Sequence, residues 1–169
     1  SRGLGDVYKR QVLGGFQGFL GWYMVKSGLV DRPDVSHYRL AAHLTTAFIT
    51  FAYTFWVILD ILYPIKKEFN KRLKRIIQVS LAILIIQIVY GAFVAGLDAG
   101  FIHNFWPMMA EGKFMHETAY IEQEPLYRNF IEGKSGVQFV HRILAYIVVI
   151  SIFIIWNFTR KMELSRDQR

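Results

Sequence analysis

Apolar residues in this chain fall in long blocks separated by short polar runs, not in stripes at helical or alternating spacing. Blocks of that length predict helices apolar on every side, because crossing a bilayer takes ~20 residues at about 1.5 Å rise per residue. Four spans are expected, over residues 12–29, 38–63, 76–97 and 137–158, followed by a tail at 159–169. Pro64 ends the second. The first is the shortest, since its apolar run from Val12 to Val25 covers only 14 residues. Residues 1–11 carry four charges and little periodicity where a spanning helix should already be under way, and read as a non-native or misread start. They do not read as a cleavable signal peptide.

Composition supports the same class: 53% of the 169 residues are hydrophobic and 16% aromatic, which suits an all-α, polytopic membrane protein built as a four-helix bundle. The net charge of +7 would point to nucleic acid in a soluble chain, but six of the twenty basic residues crowd into one short loop, Lys66 to Arg75. A basic loop between spans is the mark of the cytoplasmic side, so no nucleic-acid partner is expected and the lipid bilayer is. The connection from Asp98 to Gly136 is acidic, with Asp98, Glu111, Glu117, Glu122, Glu124 and Glu132 against Lys113, Arg128 and Lys134. It therefore belongs on the opposite, outer side. Arg160 and Lys161 after the last span put both termini on the cytoplasmic side. With no cysteine, disulfides, thiolate metal sites and cysteine nucleophiles are excluded.

Two ionisable residues interrupt this pattern. His43 and His141 each stand about one turn inside a span that starts from the outer side, so they share a depth. Histidines at matched depth on two helices suit bis-histidine axial ligation of a haem lying within the bundle. Ala47 and Ala145, four residues after each histidine, leave room for a ring edge. Arg39, one turn outward of His43, and Arg142, beside His141, suit carboxylate propionates pointing to water. Gln138, three residues before His141, is placed to support the ligand. Either histidine alone is equally compatible with a hydrogen-bonded packing role. His37, His103 and His116 read as loop histidines, their spacing fitting no tight zinc pattern, and Asp60 as a residue reaching the interface. Trp22, Trp56, Trp106 and Trp156 read as interfacial anchors or packing.

Small residues mark two further faces. Gly14, Gly18 and Gly21 leave one side of the first span bare, which admits another helix backbone or a flat cofactor, and Gly91, Ala92, Ala95 and Gly96 do the same on the third. The chain also reads as a weak tandem duplication. Gln17 with Gly21, then Ser27-Gly28-Leu29, is echoed by Gln87 with Gly91, then Ala95-Gly96-Leu97, each followed by an outer loop and a histidine helix. Such a repeat suits a pseudo-symmetric site between two helix pairs.

Several stretches are more specific. Gln17 to Leu29 (QGFLGWYMVKSGL), Val35 to Leu44 (VSHYRLAAHL), Gly91 to Gly100 (GAFVAGLDAG), Asn104 to Met108 (NFWPM) and Val137 to Arg142 (VQFVHR) with Ala145-Tyr146 follow one another in the order of the C-terminal half of the haem A synthase family, which the chain strongly resembles. The resemblance implies half of an eight-helix pseudo-symmetric protein that oxidises a ring methyl of haem O to a formyl group, giving haem A for terminal oxidase assembly. It implies a haem b held by His43 and His141, a substrate haem in an N-terminal half missing here, and a fragment not active alone. Haem O synthase and terminal oxidase assembly factors become possible partners. The lack of cysteine resembles the branch of the family without an outer-loop cysteine pair, and Trp106 before Pro107 and Glu132-Gly133 depart from its usual loop. The alternative is a cytochrome b-type electron-transfer membrane subunit, with the same haem but a quinone or redox partner. A transport or structural protein with packed histidines would hold no haem. Bacterial plasma membrane and mitochondrial inner membrane both suit the motifs.

Overall fold

The structure, a computed structural model, describes residues 2–28, 35–63 and 70–162. The end of the tail, the connection around Pro33, and Lys66 and Lys67 of the basic loop lie outside the described residues. The chain is helical, with no strand among the described residues: α1 (Arg2–Gly28), α2 (His37–Leu62), α3 (Lys71–Gly96), the short α4 (Thr118–Ile121) and α5 (Lys134–Thr159), with 3₁₀ turns at Ala99–Phe101 and Leu126–Phe130.

Among the described residues, α2, α3 and α5 are long and apolar enough to cross a membrane, and α1 is not. Its length suffices, but Asp6, Lys9, Arg10 and Lys26, with its glycines, hold down its hydropathy. The helix is continuous through residues 2–11, where the hydroxyl of Tyr53 on α2 donates to Asp6 Oδ1 at 3.0 Å. α3 begins five residues before its apolar block, because the Asn70 side chain accepts from the amides of Arg72 (2.9 Å) and Leu73 (3.2 Å) and caps the helix there. On α2, Thr46, Thr50 and Thr54 each donate to the carbonyl four residues earlier at 2.8 Å, which keeps three hydroxyls satisfied in an apolar setting.

The long helices pack as a row, α1 on α2, α2 on α3, and α3 on α5. No Cα of α2 lies within 8 Å of a Cα of α5 among the described residues. The apolar core sits at one end of this row, where Ala41, Ala92, Phe93 and Val137 are buried with Leu40, Leu44, Val89, Tyr90 and Leu97 packed around them. Towards the other end the helices present large apolar side chains outward, Ile58, Ile61, Ile152 and Phe153 among them. That is the expected distribution where lipid, not a protein interior, receives them.

The connection between α3 and α5 closes the core end. Asp98, in the left-handed region at φ 55°, turns the chain out of α3. Asn129 is fully buried with both amide hydrogens and the amide oxygen engaged: Oδ1 accepts from Gln123 N (2.8 Å), and Nδ2 donates to the carbonyls of Gln123 (2.8 Å) and Leu126 (3.0 Å). This knot lies directly on Gly136, where a Cβ would fall 2.2 Å from the Asn129 carbonyl oxygen. Only glycine lets the loop backbone approach α5 so closely.

Candidate functional site

His43 on α2 is held against α1. Nε2 of Gln17 stands 3.1 Å from Nδ1 and 3.5 Å from Nε2 of the imidazole, and donates to the His43 carbonyl at 3.0 Å. One turn further along α1, Gly21 faces the same ring, and a Cβ there would sit 3.2 Å from Cε1. His141 on α5 is held against α3 by the same pair of residue types. Nε2 of Gln87 is 3.5 Å from Nε2 of the ring, and a Cβ on Gly91 would sit 3.3 Å from Cε1. The two settings share residue types, although the glutamine stands nearest Nδ1 in the first and Nε2 in the second, and 26 residues separate glutamine from histidine in the first and 54 in the second. The tandem repeat thus takes physical form as two helix pairs, each pressing one half-buried imidazole between a glutamine amide and a glycine.

The glycine face expected on α1 is used at one position only. Gly14 and Gly18 have open space where a Cβ would stand, so in this structure neither packs a helix or a side chain.

The other residues singled out by sequence serve the loop end. Arg142, next to His141 in sequence, donates from Nη1 to the carbonyls of Phe105 (2.7 Å) and Met108 (2.8 Å), and from Nη2 to that of His103. Gln138, one turn earlier, donates to the Ile102 carbonyl, and Tyr146, one turn later, donates to the Pro107 carbonyl at 2.9 Å. Positions 138, 142 and 146 lie four apart, so one stripe of α5 holds the backbone of residues 102–108. Arg39, one turn from His43, stacks its guanidinium 4.7 Å above the ring of Tyr23 on α1.

Two of the remaining histidines form a polar cluster under the loop. His103, with φ 51°, lies against His116 with the rings tilted at 38° and their centroids 4.7 Å apart, and its Nε2 lies 2.9 Å from Ser135 Oγ. Ser135 donates to Glu122 Oε1 at 2.8 Å and accepts from Thr118 Oγ1 at 2.8 Å. Burial, with the neighbouring His116 and Arg142, lowers the pKa of His103, and Glu122 opposes the shift. His37 opens α2 and meets Phe93 edge-on at 5.0 Å. No group of three or more metal-ligating side chains occurs among the described residues.

The His43 and His141 settings fit a haem on their own chemistry. Both side chains are good axial ligands, both lie against glycines instead of bulky side chains, and α2 and α5 stay apart. Three buried polar atoms there lack any hydrogen-bond partner: Gln17 Oε1, Gln87 Oε1 and His141 Nδ1. Orphaned acceptors beside an imidazole are costly unless a further ligand or proton accounts for them. Sequence reasoning marked Gln17 and Gln87 as members of a repeat but not of the site.

The cytochrome oxidase assembly protein family matches this chain over residues 10–169. A relative named "Heme A synthase" from Flavobacterium johnsoniae is 59% identical over 158 residues, covering 92% of this chain and 46% of the relative. One of the same name from Flavobacterium psychrophilum is 57% identical over 157 residues (93% and 46%), and one from Nitrosospira multiformis is 43% identical over 162 residues (94% and 45%). The chain spans just under half the length of these curated relatives. No solved structure matches it. On the family match over nearly its whole length and these identities, the chain belongs to the cytochrome oxidase assembly protein family, as a helical integral membrane member with three helices among the described residues long and apolar enough to cross the bilayer.

Proposed function

We propose that this chain is the haem b-binding C-terminal half of a haem A synthase, with His43 and His141 as the axial ligands. The observation that carries the reading is one glutamine–glycine–histidine setting repeated on two helix pairs, in a chain whose relatives are named heme A synthase. α1 serves as the fourth span beside α2, α3 and α5.

A haem b held by His43 and His141 would supply single-electron transfer through its iron. The chain's own residues do the rest. Gly21 and Gly91 leave room for the imidazoles to stand upright between the helices. Arg39 and Arg142 bring positive charge to the outer rim, where propionates meet water. Gln138, Arg142 and Tyr146 hold residues 102–108 over α5 and limit water entry from that side.

In this reading haem O is bound and oxidised in the N-terminal half, which this chain does not supply, and electrons pass between the halves. Haem O synthase and terminal oxidase assembly factors are the candidate partners. The test is a chimaera in which this chain replaces the corresponding half of the Flavobacterium johnsoniae relative, expressed with haem O available, with extracted haems separated by chromatography. Haem A in the chimaera, and haem O alone in its His43→Ala and His141→Ala versions, is the expected result. Haem A formation undiminished by both substitutions would overturn the assignment.

A further inference from the structure

We propose that the groove between α3 and α5 at the Arg72 end binds one anionic phospholipid, with its phosphate held by Arg72 and Arg75 and an acyl chain lying along the helices. The groove has a volume of about 410 Å³. Ile76, Val79 and Ile83 of α3 form one wall, and Ile147, Ile150 and Ile154 of α5 form the other, each set falling on one stripe of its helix. Ser80 and Ser151 stand among these branched side chains, and their small size gives the groove its depth. The Ser151 hydroxyl donates to the Val148 carbonyl at 2.8 Å, so its polarity is satisfied within α5. Neither His43 nor His141 lines the groove, and the site does not depend on haem.

The length of the groove matches one leaflet. From Arg72 to Ile83 it runs about 16 Å along α3 by helical rise. The hydrocarbon core of a bilayer is ~30 Å thick, so the groove reaches from the membrane surface to near its middle, the depth of a single acyl chain. Both α3 and α5 are long and apolar enough to cross the membrane, and Arg72 and Arg75 lie in the first turns of α3. They belong to a basic run with Lys71 and Lys74, which puts this end on the cytoplasmic side, where basic pockets between spanning helices attract anionic headgroups.

Acyl chains would fill any apolar groove at this depth; the mouth is what selects the headgroup. Arg72 reaches from α3 to α5, with its guanidinium carbon 5.7 Å from the ring centroid of Phe158. Arg75, on the same face of α3, also lines the groove. Neither pairs with a carboxylate among the described residues. Two guanidinium forks at one opening suit the oxygens of a phosphodiester, which they can grip bidentately. The backbone is not the attraction, since the Asn70 side chain already takes the amides of Arg72 and Leu73. An apolar helix seated in the same groove would cover both charges and give them no counter-ion, whereas a lipid phosphate supplies it.

The test uses the full chain in detergent, with bound lipids counted by native mass spectrometry as dioleoylphosphatidylglycerol or dioleoylphosphatidylcholine is titrated in. Wild type is compared with the Arg72→Gln/Arg75→Gln double variant and with Ser151→Leu, and helicity is followed by circular dichroism. Wild type should take up one phosphatidylglycerol about 10- to 30-fold more tightly than phosphatidylcholine, the preference expected from two basic residues at an anionic headgroup. The double variant should bind the two lipids alike, and Ser151→Leu, which fills the groove, should weaken binding of both. Equal affinity of wild type for the two lipids, a preference kept in the double variant, or unaltered binding in Ser151→Leu would overturn the proposal. Displacement of phosphatidylglycerol by an equal concentration of inorganic phosphate would overturn it too, by assigning the arginines to a free ion. A dimer in lipid-free detergent that Ser151→Leu disperses would assign the groove to a second copy of the chain instead.

Discussion

Gly91 faces His141 so closely that a methyl group in place of its hydrogen would stand 3.3 Å from Cε1 of the ring. The relation recurs between Gly21 and His43 at 3.2 Å. At these distances the imidazole has to give way by a few tenths of an ångström. Alanine at a helical glycine otherwise favours the helix by about 0.5–1 kcal/mol. Gly91→Ala and Gly21→Ala should therefore fold at least as well as wild type, yet bind haem more weakly and with an altered absorption band. Haem titration beside thermal unfolding separates the two effects; equal haem affinity would show that the ring position is not set by the glycine.

Gly136 gives the opposite expectation. A Cβ there meets backbone alone, at 2.2 Å from Asn129 O and 2.8 Å from Ala119 O, so no side-chain movement can relieve the contact. Gly136→Ala should destabilise the loop end by about 3 kcal/mol, the upper range for overpacking. Gly18→Ala, with nothing within 4 Å, should be neutral or gain up to about 1 kcal/mol from helix propensity. Thermal unfolding of the two variants in the same detergent checks the contrast.

Arg142 holds three carbonyls of one loop, and hydrogen bonds from a charged group contribute about 1.5–3 kcal/mol each where they are shielded from water. Arg142→Ala should raise amide exchange across residues 102–110 with little change in the helices. Arg142→Lys should fail to restore protection, since one ammonium cannot span three acceptors as a guanidinium fork does. Hydrogen exchange read by mass spectrometry checks both, and full protection in the alanine variant would remove Arg142 as the loop's anchor.

His103 supplies a pH dependence. Burial, with His116 and Arg142 nearby, places its folded pKa below the unfolded value. The folded loop then binds fewer protons than the unfolded chain, so the contribution to stability is fully present above about pH 6.5 and is lost as pH falls through the lower folded value. Exchange protection of residues 102–116 should drop on acidification, and His103→Gln should flatten that slope. An unchanged slope in the variant would assign the effect to another group.

Much of this was legible in the sequence, for physical reasons that can be named. Apolar blocks report helices that face lipid, so α2, α3 and α5 follow from hydropathy; α1 did not reach the same standard because Asp6, Lys9 and Arg10 sit inside it. Hydropathy cannot register a cap, which is why Asn70 starts α3 earlier than its apolar run. The repeat in Gln17, Gly21, Gln87 and Gly91 was visible as matching letters. Which side chain reaches which ring was not, because that depends on how two helices rotate against each other. The contacts of Gln138 and Arg142 with loop carbonyls were hidden for a related reason: the path of residues 102–108 has no periodicity to read.

The central claim is that His43 and His141 hold one haem between them. The most direct measurement is the reduced-minus-oxidised absorption spectrum of the purified chain supplied with haem b, recorded for wild type, His43→Ala and His141→Ala. Wild type should show a low-spin b-type spectrum that is lost or turned high-spin in each variant. A folded wild type that takes up no haem, or a low-spin spectrum that survives both substitutions, would contradict it.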